Sequence, residues 1–324
     1  MEQLSTIPNI LPDEHIFSAY ARLLLLGSAL GSKNIERMVV GKQSSLTCTA
    51  FHQSAFHPLL EFYSAQKSRE ELLIKHTSFG FYRHGMKHQF RCQLLNETLT
   101  KTEFYLPGAK SLRYARKWRW CQDCVANDIR HFGHSYWHVT HQLPSSICCH
   151  IHETNLISQC QQCGYSVNDL RDAPVPVGAS CLRCDTEFTS GKRTLSADER
   201  WLQDSGLELH NDESSFLSPD YEYAMTNSLA LITSREWRLT GDNYIFVCDE
   251  KLRDFCRWLI EKGFDQLFED DIDIRKYKGL DIVNVIDKPR NVPAVTHLLW
   301  LRFLGVNSIR DAQRNGLVRN AVTA

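Results

Sequence analysis

Two consecutive sets of cysteine and histidine between Cys121 and Cys184 constrain this chain more than any other feature. The first reads Cys121-x2-Cys124, a gap of 24 residues, then Cys149-x2-His152. The second reads Cys160-x2-Cys163, a gap of 17, then Cys181-x2-Cys184. Two residues between ligands let a tight turn aim both side chains at one ion, and a second such turn closes a tetrahedron. The spacing therefore predicts two structural Zn2+ ions per chain. A hydrolytic zinc keeps three protein ligands and a water, so closed four-ligand sets argue against zinc catalysis. In the first set Cys148 and His150 adjoin Cys149 and His152 and could replace them.

A disulfide framework is the competing use of so many cysteines. The N-terminus, MEQLSTIPNILPDEH, lacks a basic stretch followed by an apolar one, so no signal peptide is read there. The longest apolar run, Ala21 to Leu30, is interrupted by Arg22 and Gly27 and is too short for a bilayer. These features predict a cytoplasmic protein with no membrane partner, and in a reducing compartment paired cysteines are metal ligands before they are bridges. Cys48, Cys92, Cys248 and Cys256 have no paired spacing and read as small buried hydrophobes.

The formal net charge of −1 hides an uneven distribution. Residues 1–120 hold 16 Lys and Arg against 9 Asp and Glu, whereas residues 201–290 hold 11 against 19. Such asymmetry suits a basic face for a polyanion and an acidic one for a protein, although ordinary solvated surface gives the same totals.

Periodicity gives a mainly α chain with small zinc-binding β elements. Ile16, Phe17, Tyr20, Leu23 and Leu24 lie at helical spacing, with Gly27 available to end the helix. A shorter helix is expected over 35–40. Ser68-Arg-Glu-Glu71 and Ser196-Ala-Asp-Glu199 are capping-box patterns. Asp249 to Lys262 reads as an amphipathic helix whose apolar face carries Leu252, Phe255, Cys256, Leu259 and Ile260, stopped by Gly263. The acidic run Glu269, Asp270, Asp271, Asp273 lacks the glycine and terminal glutamate of a calcium loop and reads as solvated. The expected organisation is a helical region over 1–110, possessing a candidate helix-turn-helix, a double zinc region over 111–192 and a helical region over 193–324.

Two segments are candidate contacts to double-stranded DNA. In Ser111-LRYARKWRW, the cations Arg113, Arg116, Lys117 and Arg119 alternate with Tyr114, Trp118 and Trp120, a pattern suited to phosphates but also to a solvated basic strand. Near the end, a helix opened by Pro293, a turn at Gly305 and a short helix carrying Arg310 and Arg314, with Arg302 before the turn, has the outline of a helix-turn-helix. Any αα-hairpin shares that outline. No HExxH, phosphate-binding loop or Gly-x-Ser-x-Gly elbow is present, so no catalytic residue is assigned.

The residues between Arg119 and His152 also carry a resemblance. Arg119-Trp-Cys121-Gln-Asp-Cys124, His131-Phe-Gly-His-Ser-Tyr-Trp137, Gln142-Leu-Pro144 and Cys149-His-Ile-His152 resemble the signature of the TniQ/TnsD family, with Gln122 and His150 standing where that family usually has proline. Upstream, Leu11-Pro-Asp-Glu14 with Ser18 and Arg22 is similar to the family's opening helix. Leu73-Ile-Lys-His76-Thr-Ser-Phe79 with Tyr82 is similar to its Glu-His-Thr-x-Phe segment, with Lys75 in place of glutamate. The resemblance covers about residues 8–190 and is faint beyond. It implies a non-catalytic target selector of a transposon. Such a protein binds target DNA directly or through an RNA-guided Cascade complex, and it recruits a TnsC-type AAA+ ATPase and hence the transposase complex. A homodimer is compatible with this reading. The N-terminal motifs, Asp13 to Arg22 and His76 to Tyr82, are expected either to engage the ATPase or only to hold the fold. A zinc-stabilised transcriptional regulator and a metal-dependent nuclease are the alternatives from other classes.

Overall fold

The computed structural model describes residues 7–27, 31–40, 46–48, 56–85, 92, 112–113, 117–212, 224–233, 237–240, 243–246, 249–268, 280, 282–287 and 294–314. The chain divides into two compact units, one of residues 1–79, 95–105 and 116–194, the other of residues 80–94, 106–115 and 195–324.

The first unit holds four short helices, α1 (Ile16–Leu26), α2 (Ser32–Val39), α3 (Phe56–Tyr63) and α4 (Arg69–Lys75), followed by α5 (Gln122–Phe132) and a run of turns and isolated bridges. His15 caps α1 through its ring, whose Nδ1 accepts from the Phe17 amide, and Ser68 caps α4 by accepting from the Glu71 amide. Gly27 is required where α1 meets α2, because a Cβ there would lie 1.9 Å from the Ile35 Cδ1. Gly133 ends α5 in the left-handed conformation (φ 77°) that glycine adopts without strain.

The segment before α1 is pinned by a buried ion pair. Glu14 is fully buried and accepts from Arg22 at both carboxylate oxygens (2.8 and 2.7 Å), from Ser18 Oγ (3.0 Å) and from the Leu11 amide (2.9 Å). A bidentate pair with every oxygen occupied is the arrangement in which a buried charge is tolerable. The backbone on either side is shared with two distant segments: the His15 amide donates to Trp137 O (2.9 Å), the Val139 amide to Asp13 O (2.7 Å) and the Ile16 amide to His76 O (2.8 Å). His76 and Thr77 are buried with them. These motif residues are thus built into the core, and the exposed large apolar side chains among the described residues of the same region are Ile7, Leu25, Leu26 and Met38.

Trp118, Trp120 and Trp137 form the aromatic centre of this unit, with ring centroids 5.6 Å (Trp118–Trp137) and 5.8 Å (Trp120–Trp137) apart. All three are fully buried, and Phe188 packs edge-on to Trp120 at 5.3 Å. The tryptophans of the basic stretch therefore face the core.

The second unit contains α6 (Ala197–Asn211), α7 (Ala224–Ile232), the antiparallel hairpin β1 (Trp237–Thr240) and β2 (Asn243–Phe246), α8 (Asp249–Glu261), α9 (Ile282–Asp287) and α10 (Ala294–Phe303). Ser196 and Glu199 form both halves of the predicted capping box at α6. Residues 295–301 of α10 are buried without interruption, so this helix is enclosed on all sides and packs on α6, α7, α8 and α9. Trp300 stacks on Phe255 of α8 at 3.8 Å and donates Nε1–H to Leu280 O (2.9 Å). Phe255 and Leu259 bury the face of α8, Leu252 and Cys256 are half-buried, and Ile260 is exposed, so the expected apolar stripe is one residue too wide. The acidic run 269–273 lies outside the described residues. No helix among the described residues is long and apolar enough to cross a membrane.

Candidate metal centres

Four turns carry the eight predicted ligands, and three of them share one backbone design. In Cys149-x2-His152, Cys160-x2-Cys163 and Cys181-x2-Cys184, the residue after the second ligand is left-handed: Glu153 (φ 54°), Gly164 (φ 70°) and Asp185 (φ 56°). Its amide returns to the carbonyl of the first ligand at 2.8 Å (Glu153–Cys149), 2.9 Å (Gly164–Cys160) and 2.9 Å (Asp185–Cys181). The first ligand's amide then bonds across the hairpin to Thr154, Tyr165 and Thr186 carbonyls respectively. The fourth turn is different, because Cys121 is the N-cap of α5 and Cys124 lies in its first turn.

These turns bring the donors into two groups, Cys121, Cys124, Cys149 and His152, and Cys160, Cys163, Cys181 and Cys184, with all ligand atoms of a group within 4.8 Å of one another. In the first group, His152 Nδ1 lies 3.6, 3.3 and 3.5 Å from the sulfurs of Cys121, Cys124 and Cys149, and the last two sulfurs are 3.6 Å apart. In the second, Cys160 and Cys184 sulfurs are 3.6 Å apart and those of Cys163 and Cys181 are 3.7 Å apart. A tetrahedral zinc with Zn–S of about 2.3 Å and Zn–N of about 2.0–2.1 Å separates sulfurs by about 3.8 Å and sulfur from nitrogen by about 3.6 Å. Both donor sets fit that ion in chemistry and in size. Cys148 instead forms a bridge with Asn155, and neither it nor His150 belongs to the first group.

The two groups differ in their surroundings. Cys121, Cys124 and Cys149 are buried, with Leu156 packed against them, whereas Cys163 is half-buried and Cys184 is exposed. The Cys121 thiol is driven far below the ordinary thiol range by contacts from Cys124 and Cys149, and Cys124 is pushed far up by its contacts with Cys121 and Cys149. In the second group Cys184 is lowered to about 6, chiefly by Thr186, whose hydroxyl is 3.3 Å away.

A buried polar network adjoins the first group. His138 Nε2 lies 2.9 Å from Asp128 and its Nδ1 3.2 Å from Asp13, so a doubly protonated ring donates to both carboxylates. Burial by itself lowers this pKa, but Asp128 and Asp13 outweigh it and raise it to about 9. Asp13 also accepts from the amide and hydroxyl of Thr140. His141, held down to about 3 by burial and by the His138 charge, completes the network and reaches Cys124. In the sequence, the signal for these histidines is their crowding around residues 131–152.

The candidate DNA contacts are distributed unevenly. Arg119 is buried and donates to Ser146 O (2.8 Å) and Leu143 O (2.7 Å), so its guanidinium serves the fold and is withdrawn from phosphate. Lys117 is half-buried with Nζ on Gln159 Oε1 (2.8 Å). Arg113 is exposed and belongs to the second unit, where its amide donates to Leu267 O, and Arg116 lies outside the described residues. Arg302 is bound to Asp198 (2.8 Å) and Asn307 (3.0 Å) and lies over the Trp201 ring. Past the left-handed Gly305, residues 309–314 are helical, with Ile309, Ala312 and Gln313 buried. Arg310 and Arg314 point outward, their side chains 71% and 75% exposed, Arg310 against Glu208 and Arg314 near Asp311.

No curated protein matches the chain. The family model TniQ matches residues 6–156, a span that begins before the Glu14–Arg22 pair and ends just past His152. It contains the whole first donor group and leaves the second outside. A TniQ domain implies a transposon-associated role in target selection, that of a non-catalytic adaptor. Residues 6–156 of this chain are thus similar to the TniQ family.

Proposed function

We propose that the chain is a target-site adaptor that meets DNA on one surface and recruits a TnsC-type AAA+ ATPase, and through it the transposase, on another. The observation that carries this reading is the TniQ match over the segment whose geometry builds the first donor group. Each group holds one Zn2+, the first through Cys121, Cys124, Cys149 and His152, the second through Cys160, Cys163, Cys181 and Cys184. With all four positions filled by protein, such an ion supplies folding free energy and no bound water for chemistry. The test is elemental analysis of the purified chain together with ATPase pull-down. About two zinc per chain and retention of the ATPase are expected; one or no zinc, or no retention, would reject the corresponding half.

For DNA, the exposed arginines Arg310 and Arg314 are the strongest candidates of the described set, with Arg113 and Lys117 behind them and Arg116 untested by geometry. A helix that buries Ile309, Ala312 and Gln313 and turns two cations outward can follow a phosphate backbone. Replacing Arg310 and Arg314 by alanine is expected to lower affinity for specific and unrelated duplexes alike and to reduce the salt slope by up to about two, one per lost phosphate contact. Unchanged affinity and slope would exclude them. Absence of duplex binding by the unaltered chain would indicate that DNA is reached only within a guide-RNA assembly of the Cascade kind.

A further inference from the structure

His141 occupies a single helical turn, Thr140–Gln142, and its ring is buried. Nε2 lies 3.6 Å from Cys124 Sγ, within hydrogen-bonding reach of sulfur. It meets this one sulfur, whereas His152 Nδ1 meets all three sulfurs of the group. A ligand must face the centre of the tetrahedron, and a residue that touches a single ligand atom from outside can only modify it. The ring's other nitrogen, Nδ1, is buried without a hydrogen-bond partner among the described residues. A proton on Nδ1 would be stranded there and would turn the Nε2 lone pair against the sulfur. A proton on Nε2 avoids both penalties.

We propose that His141 is an outer-sphere partner of the first metal centre, donating Nε2–H to the Cys124 thiolate and so setting the affinity of the site. The inference rests on the zinc reading of that group. Its physical basis is charge. Three thiolates and one imidazole around Zn2+ leave a net charge of about −1 in a buried site, where an uncompensated charge is costly. Donors aimed at the sulfurs spread that charge and reduce the competition of protons for the thiolates. Thr154 Oγ1, 3.1 Å from Cys121 Sγ, does the same at a second sulfur, so two of the three thiolates have a buried side-chain donor. The His141 ring also packs 4.8 Å from that of His138, which bonds Asp128 and Asp13, so the chain of contacts from the metal reaches the segment before α1.

The test uses the full chain loaded with Co2+, whose thiolate-to-metal absorption reports donor strength at sulfur, and competition with a chromophoric chelator. His141→Ala is expected to weaken one of the two metals about 10–100-fold, the range for loss of an outer-shell partner, and to shift its absorption band, with the other metal unaffected. His141→Gln, which keeps an N–H donor, should recover part of both. Unchanged affinity and band in a folded His141→Ala protein would overturn the proposal. If that variant does not fold, cadmium NMR of the unaltered chain decides: scalar coupling between the metal and the His141 ring N–H supports the bond, and its absence refutes it. Failure of the zinc reading itself is separate, because the unaltered chain would then load at most the one metal held by Cys160, Cys163, Cys181 and Cys184.

Discussion

At the scale of single residues, a buried donor is defined by what it leaves behind when removed. Arg119→Ala strands the carbonyl of Ser146, which ends the turn before the Cys149 knuckle, while the Leu143 carbonyl keeps the Ser146 amide. An unsatisfied buried group costs about 1–3 kcal/mol, so the variant is expected to lose about 1–3 kcal/mol in denaturant melts. Its DNA salt slope should stay as in the unaltered chain, and a flattened slope without lost stability would return Arg119 to the DNA surface. His138 gives a pH dependence with a definite sign. Its folded pKa, about 9, lies above the ordinary 6.5, so its contribution is fully present below about pH 6.5 and is lost as pH rises toward 9. Melting temperature should fall across that window, and His138→Gln should remove this part of the dependence. An identical pH profile in the variant would show that the ring is not charged in the fold.

At the scale of elements, three hairpin knuckles with one backbone design and one helical knuckle give two centres with unequal protection. The first has its cysteines buried at the start of α5 and against Leu156, and the second presents Cys184 to solvent. Thiolate attack requires access, so alkylation of the zinc-loaded chain is expected to modify Cys163 and Cys184 well before Cys121 or Cys149. Mass spectrometry of partially alkylated protein checks this, and equal rates at both groups would mean that the enclosure does not persist in solution. Cap residues act on the same scale. Ser196→Ala removes the donor-acceptor pair at the start of α6 and should cost about 1 kcal/mol, read from the same melts.

At the scale of the whole molecule, metal binding and folding of the first unit are expected to be one equilibrium. Its helices α1 to α4 are short, and the segment before α1 is held through backbone bonds to residues 137–139, which lie between the two knuckles of the first centre. Cys121→Ser is therefore expected to give insoluble or partly unfolded protein, with loss of the N-terminal helices as well as the metal, because the closing ligand set supplies folding free energy. Hydrogen exchange would show this as deprotection of α1 together with α5. Protection of α1 retained in a metal-free variant would mean that the helices form a core of their own.

The ligand sets were legible in the sequence because a two-residue spacing between sulfurs is a local property: the chain within each knuckle decides where both donors point, whatever surrounds it. Helix ends with side-chain caps, such as those at Ser68 and Ser196, were legible for the same reason. The fate of a cation was not. Arg113, Lys117 and Arg119 occupy one basic stretch, yet the first is exposed, the second half-buried and the third enclosed among carbonyls. Burial depends on contacts between residues far apart in the chain, which composition and periodicity do not encode. The same applies to His138 and His141, whose partners Asp13 and Cys124 lie at sequence separations of 125 and 17. Sequence alone thus determined the two donor sets and the likeness of residues 6–156 to the TniQ family. Tertiary packing decided which of the two centres is enclosed and which charged side chains remain available to solvent.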